Sequence, residues 1–269
     1  MGILGYLLIL LINIVCMLIV TLIIAALTLI ERKVLSLIQR RVGPNFVGYK
    51  GRLQYIADAL KMFIKGALIP DEANKFWSIT IPAILATVCY SFWMNSMWGP
   101  NLSLFEIEYN LVYATLLSVI FSFCILLTGY FSKNKYAVLG SVRAGILVLN
   151  LEIFLGLMVL NLVTLTESFC FSVFVLYQEY IWFIFIYIGL IGLIVIVFLL
   201  ETNRAPFDLA EAETELVAGY FVEYGGFYFA LYYLGEYLHL FFFSSIISIL
   251  ILGGWELPNI CFFFVSSLY

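Results

Sequence analysis

The chain has 269 residues, of which 64% are hydrophobic and 11% are charged, and its formal net charge is −4. Soluble domains carry about 25% charged residues, so this composition excludes an ordinary soluble protein and indicates an integral membrane protein surrounded by lipid. The mild negative charge also argues against nucleic acid as a partner, because nucleic-acid binding needs a strongly basic surface.

Six stretches are long and apolar enough to cross a bilayer, which takes about 20 residues each. Because lipid offers the backbone no hydrogen-bond partners, all six are expected to be helices. The predicted fold is therefore all-α, a single polytopic transmembrane bundle over 1–269 with about six complete spans. These spans are 1–30, 76–98, 109–132, 137–166, 179–200 and 224–254, and a truncated seventh begins at 259–269.

The connection 31–75 after the first span is expected to contain a surface helix. In residues 52–65, Leu53, Ile56, Leu60 and Phe63 follow helical spacing, and polar side chains occupy the opposite face. This pattern is typical of an amphipathic helix at the membrane surface. Two roles stay open for it, a plain interfacial anchor and a wall of a binding site.

The first connection also sets the predicted orientation. Nine of the 13 Lys and Arg residues lie between Arg32 and Lys75, and the second and fourth connections have none. Basic connections stay on the negative side of a membrane, so the odd connections are expected to face the mitochondrial matrix or the bacterial cytoplasm.

The connection 201–223 after the fifth span is rich in acids. Pro206 disfavours helix before it, and Asp208 with Glu211 fits a capping box that starts a new helix. Carboxylates crowded at a low-dielectric boundary can hold and pass protons, which is the favoured interpretation, while a solvated acidic helix is the alternative. Arg204 is expected to pair with Glu201 or Asp208, or to contact a bound ligand.

Three charged residues fall inside predicted spans: Arg143 and Glu152 in the fourth and Glu236 in the sixth. Each costs about 2.5–3.5 kcal/mol on insertion scales, so such residues usually mark a pathway for ions or substrates. A buried ion pair with another helix is the alternative.

Metal and haem sites are not expected on this chain. The five cysteines are far apart and none has a C-x-x-C partner, which argues against zinc, an iron–sulfur cluster or a disulfide framework. The single histidine, His239, excludes a bis-histidine haem within the chain and is expected to be a packed or interfacial residue. Any redox centres would therefore lie on other polypeptides.

Four motifs resemble one family, subunit 1 of the NADH dehydrogenase of respiratory complex I. They are ERKVL from Glu31, R-x-GPN-x-VG from Arg41, Q-x-x-ADA-x-K from Gln54, and ETNRAPFDLAEAETELVAG from Glu201 to Gly219. The last is long and highly specific, and the resemblance covers essentially the whole chain.

The resemblance implies a core membrane subunit of the proton-pumping NADH:ubiquinone oxidoreductase, located in the mitochondrial inner membrane or, alternatively, a bacterial plasma membrane. Such a subunit carries no redox centre and forms the floor and entrance of the ubiquinone chamber. Ubiquinone is the implied substrate, and partner subunits of the complex supply FMN and the iron–sulfur clusters. The acidic connection is implied to respond to quinone reduction by shifting protons toward intramembrane glutamates.

The implied site residues form two groups. Those of the quinone chamber are Arg32, Arg41, Asp58, Arg204, Asp208, Glu211, Glu213 and Glu215. Those of the proton pathway are Arg143, Glu152, Glu201, Glu223 and Glu236.

The sequence departs from the family in two places. Leu147, Asn150 and Leu151 replace the polar residues that the family usually has between Arg143 and Glu152, which puts a local hydrogen-bond network in doubt. The family's last one and a half spans are absent, so a separately encoded C-terminal polypeptide is expected to complete the bundle. Two rival functions stay open, a membrane-bound hydrogenase subunit and an ion transporter or channel; inverted repeats typical of transporters are not found.

Overall fold

The structure is a computed structural model that describes residues 3–66, 73–95, 99, 108–204, 207 and 219–256, with the side chains described from residue 11 onward. Nine helices are described: α1 (Ile3–Ile38), α2 (Gln54–Ile64), α3 (Lys75–Asn95), α4 (Asn110–Ser132), α5 (Lys135–Thr166), α6 (Phe171–Tyr177), α7 (Phe183–Ile186), α8 (Ile191–Glu201) and α9 (Phe227–Ile251). Short 3-10 turns occupy Tyr49–Gly51, Ile188–Leu190 and Gly219–Phe221.

Five of these helices are long and apolar enough to cross a membrane: Leu11–Ile38 of α1, and the whole of α3, α4, α5 and α9. The predicted all-α, polytopic membrane bundle is therefore confirmed. The positions of the individual span ends stay predictions. The predicted seventh span, residues 259–269, and the second polypeptide expected beside it lie outside the described residues.

The fifth predicted span, 179–200, is not one continuous helix. The chain leaves helical geometry at Tyr187, with φ −103° and ψ 35°, and passes through a 3-10 turn before α8 begins. α8 then runs for only 11 residues. At 1.5 Å per residue it is about 16 Å long, roughly half of the hydrocarbon thickness.

The core lies between α3, α4, α5 and α9, which pack together through aromatic and small side chains. Phe92 of α3 stacks on Phe242 of α9 with ring centroids 4.3 Å apart. Cys89 Sγ lies 3.4 Å from the carbonyl oxygen of Gly235, so α3 and α9 approach closely at a residue without a side chain. Small residues at such contacts are common in membrane bundles, because close packing replaces the hydrophobic drive.

Gln178 holds together the end of the bundle where α9 finishes. Its Nε2 donates to the carbonyl oxygen of Ile249 at 2.9 Å, and its Oε1 accepts from the backbone N–H of Gly253 at 3.0 Å and of Phe183 at 3.3 Å. The side chain is fully buried. One amide therefore ties the start of α7 to the end of α9.

α2 lies against α1 through its polar face. Asp58 accepts from Nη1 of Arg32 at 2.6 Å and from Nε2 of Gln54 at 3.0 Å. The apolar side chains Leu60 and Phe63 are 55% and 67% exposed, so the described residues leave much of the apolar face of α2 open. An amphipathic surface helix presents such a face to lipid or to a neighbouring subunit.

Candidate functional site

Glu31 near the end of α1 is the meeting point of three segments of the chain. Its Oε1 accepts a hydrogen bond from Nη1 of Arg204, which follows α8, and its Oε2 accepts from the hydroxyl of Tyr237 on α9 at 2.6 Å. The guanidinium of Arg204 also lies over the Tyr237 ring, 5.0 Å from its centroid. A carboxylate with a charged and a neutral donor is thus held among apolar helices.

Arg204 reaches Glu31 because of how α8 ends. Asn203 adopts the left-handed conformation at φ 47°, and the N–H groups of Asn203 and Arg204 bond the carbonyl oxygens of Leu200 and Leu199 at 3.2 and 3.1 Å. These two bonds form a Schellman motif, which satisfies the last carbonyls of a helix and turns the chain away. The expected pairing of Arg204 with Glu201 is therefore wrong, and Asp208 lies outside the described residues.

A small cavity of about 80 Å³ lies beside this cluster. Its lining is mostly polar: Thr202, Asn203, Arg204, Tyr233, Glu236, Tyr237 and Leu240. One water needs about 10–15 Å³ of cavity volume, so several waters fit. The cavity thus offers space for water between Arg204 and the intramembrane acid Glu236.

Glu236 is fixed from the far end of the acidic connection. The hydroxyl of Tyr220 donates to Glu236 Oε1, and Tyr220 itself is 1% exposed. The turn Gly219–Phe221 that carries it packs on α5, where a Cβ added to Gly140 would lie 3.0 Å from the carbonyl carbon of Gly219. The end of the acidic connection therefore enters the bundle, where it binds Glu236 of α9.

A second and much larger cavity, of about 660 Å³, opens between α4, α5, α8 and α9. Its walls are apolar apart from a few polar groups, among which are the two acids Glu152 and Glu201. The Glu201 side chain is fully buried. Among the described residues, neither of its oxygens has a hydrogen-bond partner, and Oε1 of Glu152 has none either. An isolated buried charge is costly, so these oxygens call for a proton, a water or a counter-charge.

His239 lies close to Glu201, with Nε2 3.9 Å from Glu201 Oε1. It lies midway along α9 and is 2% exposed, with its ring stacked on Phe121 at 4.1 Å. The expectation of a packed residue is correct, and the expectation of an interfacial position is not. Glu201 likewise is not a loop acid, because it is the last residue of α8.

The remaining predicted residues are spread over the bundle. Arg32 and Asp58 form the half-exposed ion pair between α1 and α2, and Arg41 is exposed beyond the end of α1. Glu223 accepts a hydrogen bond from Nδ2 of Asn134, the residue that caps α5. Arg143 is exposed on α5, away from Glu152 in the chain by more than two helical turns.

Four predicted residues, Asp208, Glu211, Glu213 and Glu215, lie outside the described part of the chain, so their roles stay predictions. Among the residues described, no group of three or more His, Cys, Asp or Glu is placed to hold a metal ion.

Sequence reasoning missed four side chains of this site: Glu31, Tyr220, Tyr237 and His239. For Glu31 the sequence did contain an indication, because basic residues alone anchor the end of a span and the acid beside them needs another explanation. The tyrosines had none, because aromatic side chains are abundant throughout this chain and are expected at membrane interfaces.

Comparisons with known proteins agree on one family. The family model described as NADH dehydrogenase matches residues 11–269. The chain is 65% identical over 245 residues to NADH-ubiquinone oxidoreductase chain 1 of Paramecium tetraurelia, which covers 91% of this chain and 94% of that protein. It is 40% identical over 235 residues to the protein of the same name from Chondrus crispus, covering 87% of this chain and 72% of that protein. It is 38% identical over 240 residues to the protein of the same name from Metridium senile, covering 89% of this chain and 72% of that protein.

Proposed function

The chain belongs to the NADH dehydrogenase family, and from this premise we propose that it is the core membrane subunit that couples ubiquinone reduction to proton translocation in a respiratory NADH:ubiquinone oxidoreductase. It works as a multi-pass subunit of the mitochondrial inner membrane and contributes no redox centre. Flavin and iron–sulfur subunits of the complex deliver the electrons. Its own residues supply one wall of the quinone chamber and the first acids of the proton path.

The observation that carries this proposal is the position of Arg204. This residue belongs to the connection that follows α8, yet its side chain is bound to Glu31 on α1 and borders the small cavity beside Glu236. A change of charge at the chamber reaches Glu236 across the small cavity that Arg204 and Glu236 both line. No carrier has to move across the membrane for this step.

The proton side of the proposal rests on four acids. Glu236 borders the small cavity, Glu152 and Glu201 border the large cavity, and Glu223 is held at the start of α5 by Asn134. Acids retained inside apolar helices cost insertion energy and usually mark proton relays. Quinone reduction takes up protons and alters the local charge, and the acids respond by exchanging protons with the waters of these cavities.

The chamber side uses the end of α1. Arg32, paired with Asp58, fixes α2 beside α1, which keeps the two helices together near Glu31. The exposed apolar face of α2 suits contact with lipid or with the isoprenoid tail of a quinone. Asp208, Glu211, Glu213 and Glu215 are proposed to line the same chamber.

Co-purification tests the assignment. The chain, tagged and extracted in mild detergent from its native membrane, should bring with it flavin, iron–sulfur signals and inhibitor-sensitive NADH:ubiquinone reductase activity. A hydrogenase subunit would bring iron–sulfur centres without quinone reduction, and a transporter or channel would bring neither. Either of those results would overturn the proposed function.

Substitution of Arg204 tests the site. Arg204→Ala should lower quinone reduction at least about tenfold, since a hydrogen bond to a charged group contributes about 1.5–3 kcal/mol. Lys135→Ala is the matched control, because it removes one exposed positive charge near the start of α5. Equal rates for the two variants would contradict the role of Arg204.

A further inference from the structure

His239 is a polar residue in the most apolar part of the core. Three aromatic rings surround it: Phe121 at 4.1 Å, Phe243 at 4.7 Å and Phe92 at 5.6 Å between centroids. Within the described part of the chain, its Nε2 has no hydrogen-bond partner. A buried imidazole in such surroundings costs free energy that an apolar side chain would not, so packing alone does not account for it.

Glu201 faces this nitrogen from α8. The 3.9 Å between Nε2 and Oε1 is too long for a hydrogen bond, and no described residue bonds either Glu201 oxygen. A shift of about 1 Å would bring the two groups into a normal hydrogen bond, whose length is about 2.7–3.2 Å. The pair is therefore close enough to exchange a proton without being locked together.

Glu236 is a second acid close to the histidine. It precedes His239 by three residues on α9, and side chains at this spacing are neighbours on a helix, with Cβ atoms about 5–6 Å apart. Glu201 borders the large cavity and Glu236 borders the small one. His239 is thus a neighbour of one acid from each cavity.

We propose that His239 is a proton-relay residue that joins the two cavities, an assignment that rests on the proposed function. A proton leaves the Glu201 carboxyl and binds Nε2, giving a transient imidazolium. The proton on Nδ1 then passes to the Glu236 carboxylate, and the ring is neutral again in the other tautomer. Proton number and charge balance and no electrons move. The first tautomer returns when Nε2 gives up its proton to water and Nδ1 takes up a proton from water.

The intact complex in liposomes tests this relay. His239→Gln keeps a polar side chain of similar size but cannot be protonated, and His239→Phe fills the space with a ring. Both should lower the rate of proton pumping at least about tenfold, less than the 10²–10⁴-fold contribution of general acid–base groups because cavity water offers a partial bypass. Phe92→Leu is the matched control, since it disturbs the same aromatic packing and removes no titratable group.

A double substitution separates a relay from a packing role. If Glu201 and His239 act in one path, Glu201→Gln combined with His239→Gln should pump no more slowly than either single variant. Separate packing effects would multiply instead, and that result would overturn the relay. Normal pumping by His239→Gln would overturn it as well.

Failure of the relay is distinguishable from failure of the proposed function. Electron transfer from NADH to a water-soluble acceptor, measured on every variant, reports the hydrophilic part of the complex and should stay unchanged. If the unmodified complex reduces quinone and pumps protons, and the His239 variants do so equally well, the relay is wrong and the proposed function still holds. An unmodified complex unable to reduce quinone would overturn both.

Discussion

The ion pair of Glu31 with Arg204 allows the most direct quantitative test of the site. Glu31→Gln keeps the shape of the side chain and an oxygen for Tyr237, but it leaves Arg204 without its counter-charge. The side chains of Glu31 and Arg204 are 30% and 36% exposed, which places them between a surface pair and a buried one. Surface pairs contribute about 0.2–1 kcal/mol, and breaking a buried pair costs about 3–5 kcal/mol.

We therefore expect a coupling free energy of about 1–2 kcal/mol between the two residues, which corresponds to about a 5–30-fold change in rate. Three variants are compared with the unmodified complex: Glu31→Gln, Arg204→Gln and the double variant. The assay is inhibitor-sensitive NADH:quinone reduction, normalised to electron transfer from NADH to a water-soluble acceptor. Glu167→Gln, at the exposed end of α5, is the control for loss of one acid.

The pair predicts a particular pattern. Each single variant should reduce quinone slowly. The double variant should be about as slow as the single variants, because the first substitution already breaks the ion pair and the second has no further pair to break. If the two effects multiply, the residues act independently and the contact has no role in quinone reduction. The reasoning that places Arg204 at the chamber would then be refuted.

Two further predictions concern stability, measured as the temperature of half-inactivation of the isolated complex. Gln178→Leu should be destabilising by about 3 kcal/mol or more, because several buried backbone groups lose their hydrogen-bond partner at about 1–3 kcal/mol each. Gln39→Leu, on the exposed end of α1, is the control and should have little effect. Gly140→Ala should also be destabilising, since overpacking costs about 1–3 kcal/mol and outweighs the gain of about 1 kcal/mol in helix propensity. Gly156 has open space around it, so Gly156→Ala should show only the gain in helix propensity. Equal stability of the two glycine variants would contradict the close approach of Gly140 to Gly219.

The long apolar helices could be predicted from composition alone, because a bilayer requires continuous runs of apolar residues. The break at Tyr187 could not. Apolar residues dominate on both sides of the break, and no proline marks it. The interruption depends on how α7 and α8 pack against the rest of the bundle, and hydropathy carries no information about that packing.

The site was predictable only where a residue contradicted its surroundings. Glu152 and Glu236 stood out because they interrupt apolar helices. The contact of Arg204 with Glu31 joins residues 173 positions apart, and no local pattern predicts such a pair. The local candidates for Arg204 were acids in its own connection, and the Schellman end of α8 turns it away from Glu201.

The short α8 gives these observations a common physical cause. Because α8 ends opposite the middle of α9, the residues Thr202, Asn203 and Arg204 leave helical geometry inside the bundle rather than at its edge. Non-helical backbone is tolerated at membrane depth only where protein buries it or where it lines a hydrated space. The small cavity has room for water and meets that requirement, and both Arg204 and Glu236 line it. A fifth helix that continued past Glu201 would keep its backbone hydrogen bonds and would leave no such opening. The end of α8 at Glu201 is therefore what allows Arg204 and Glu236 to share a cavity in an otherwise apolar bundle.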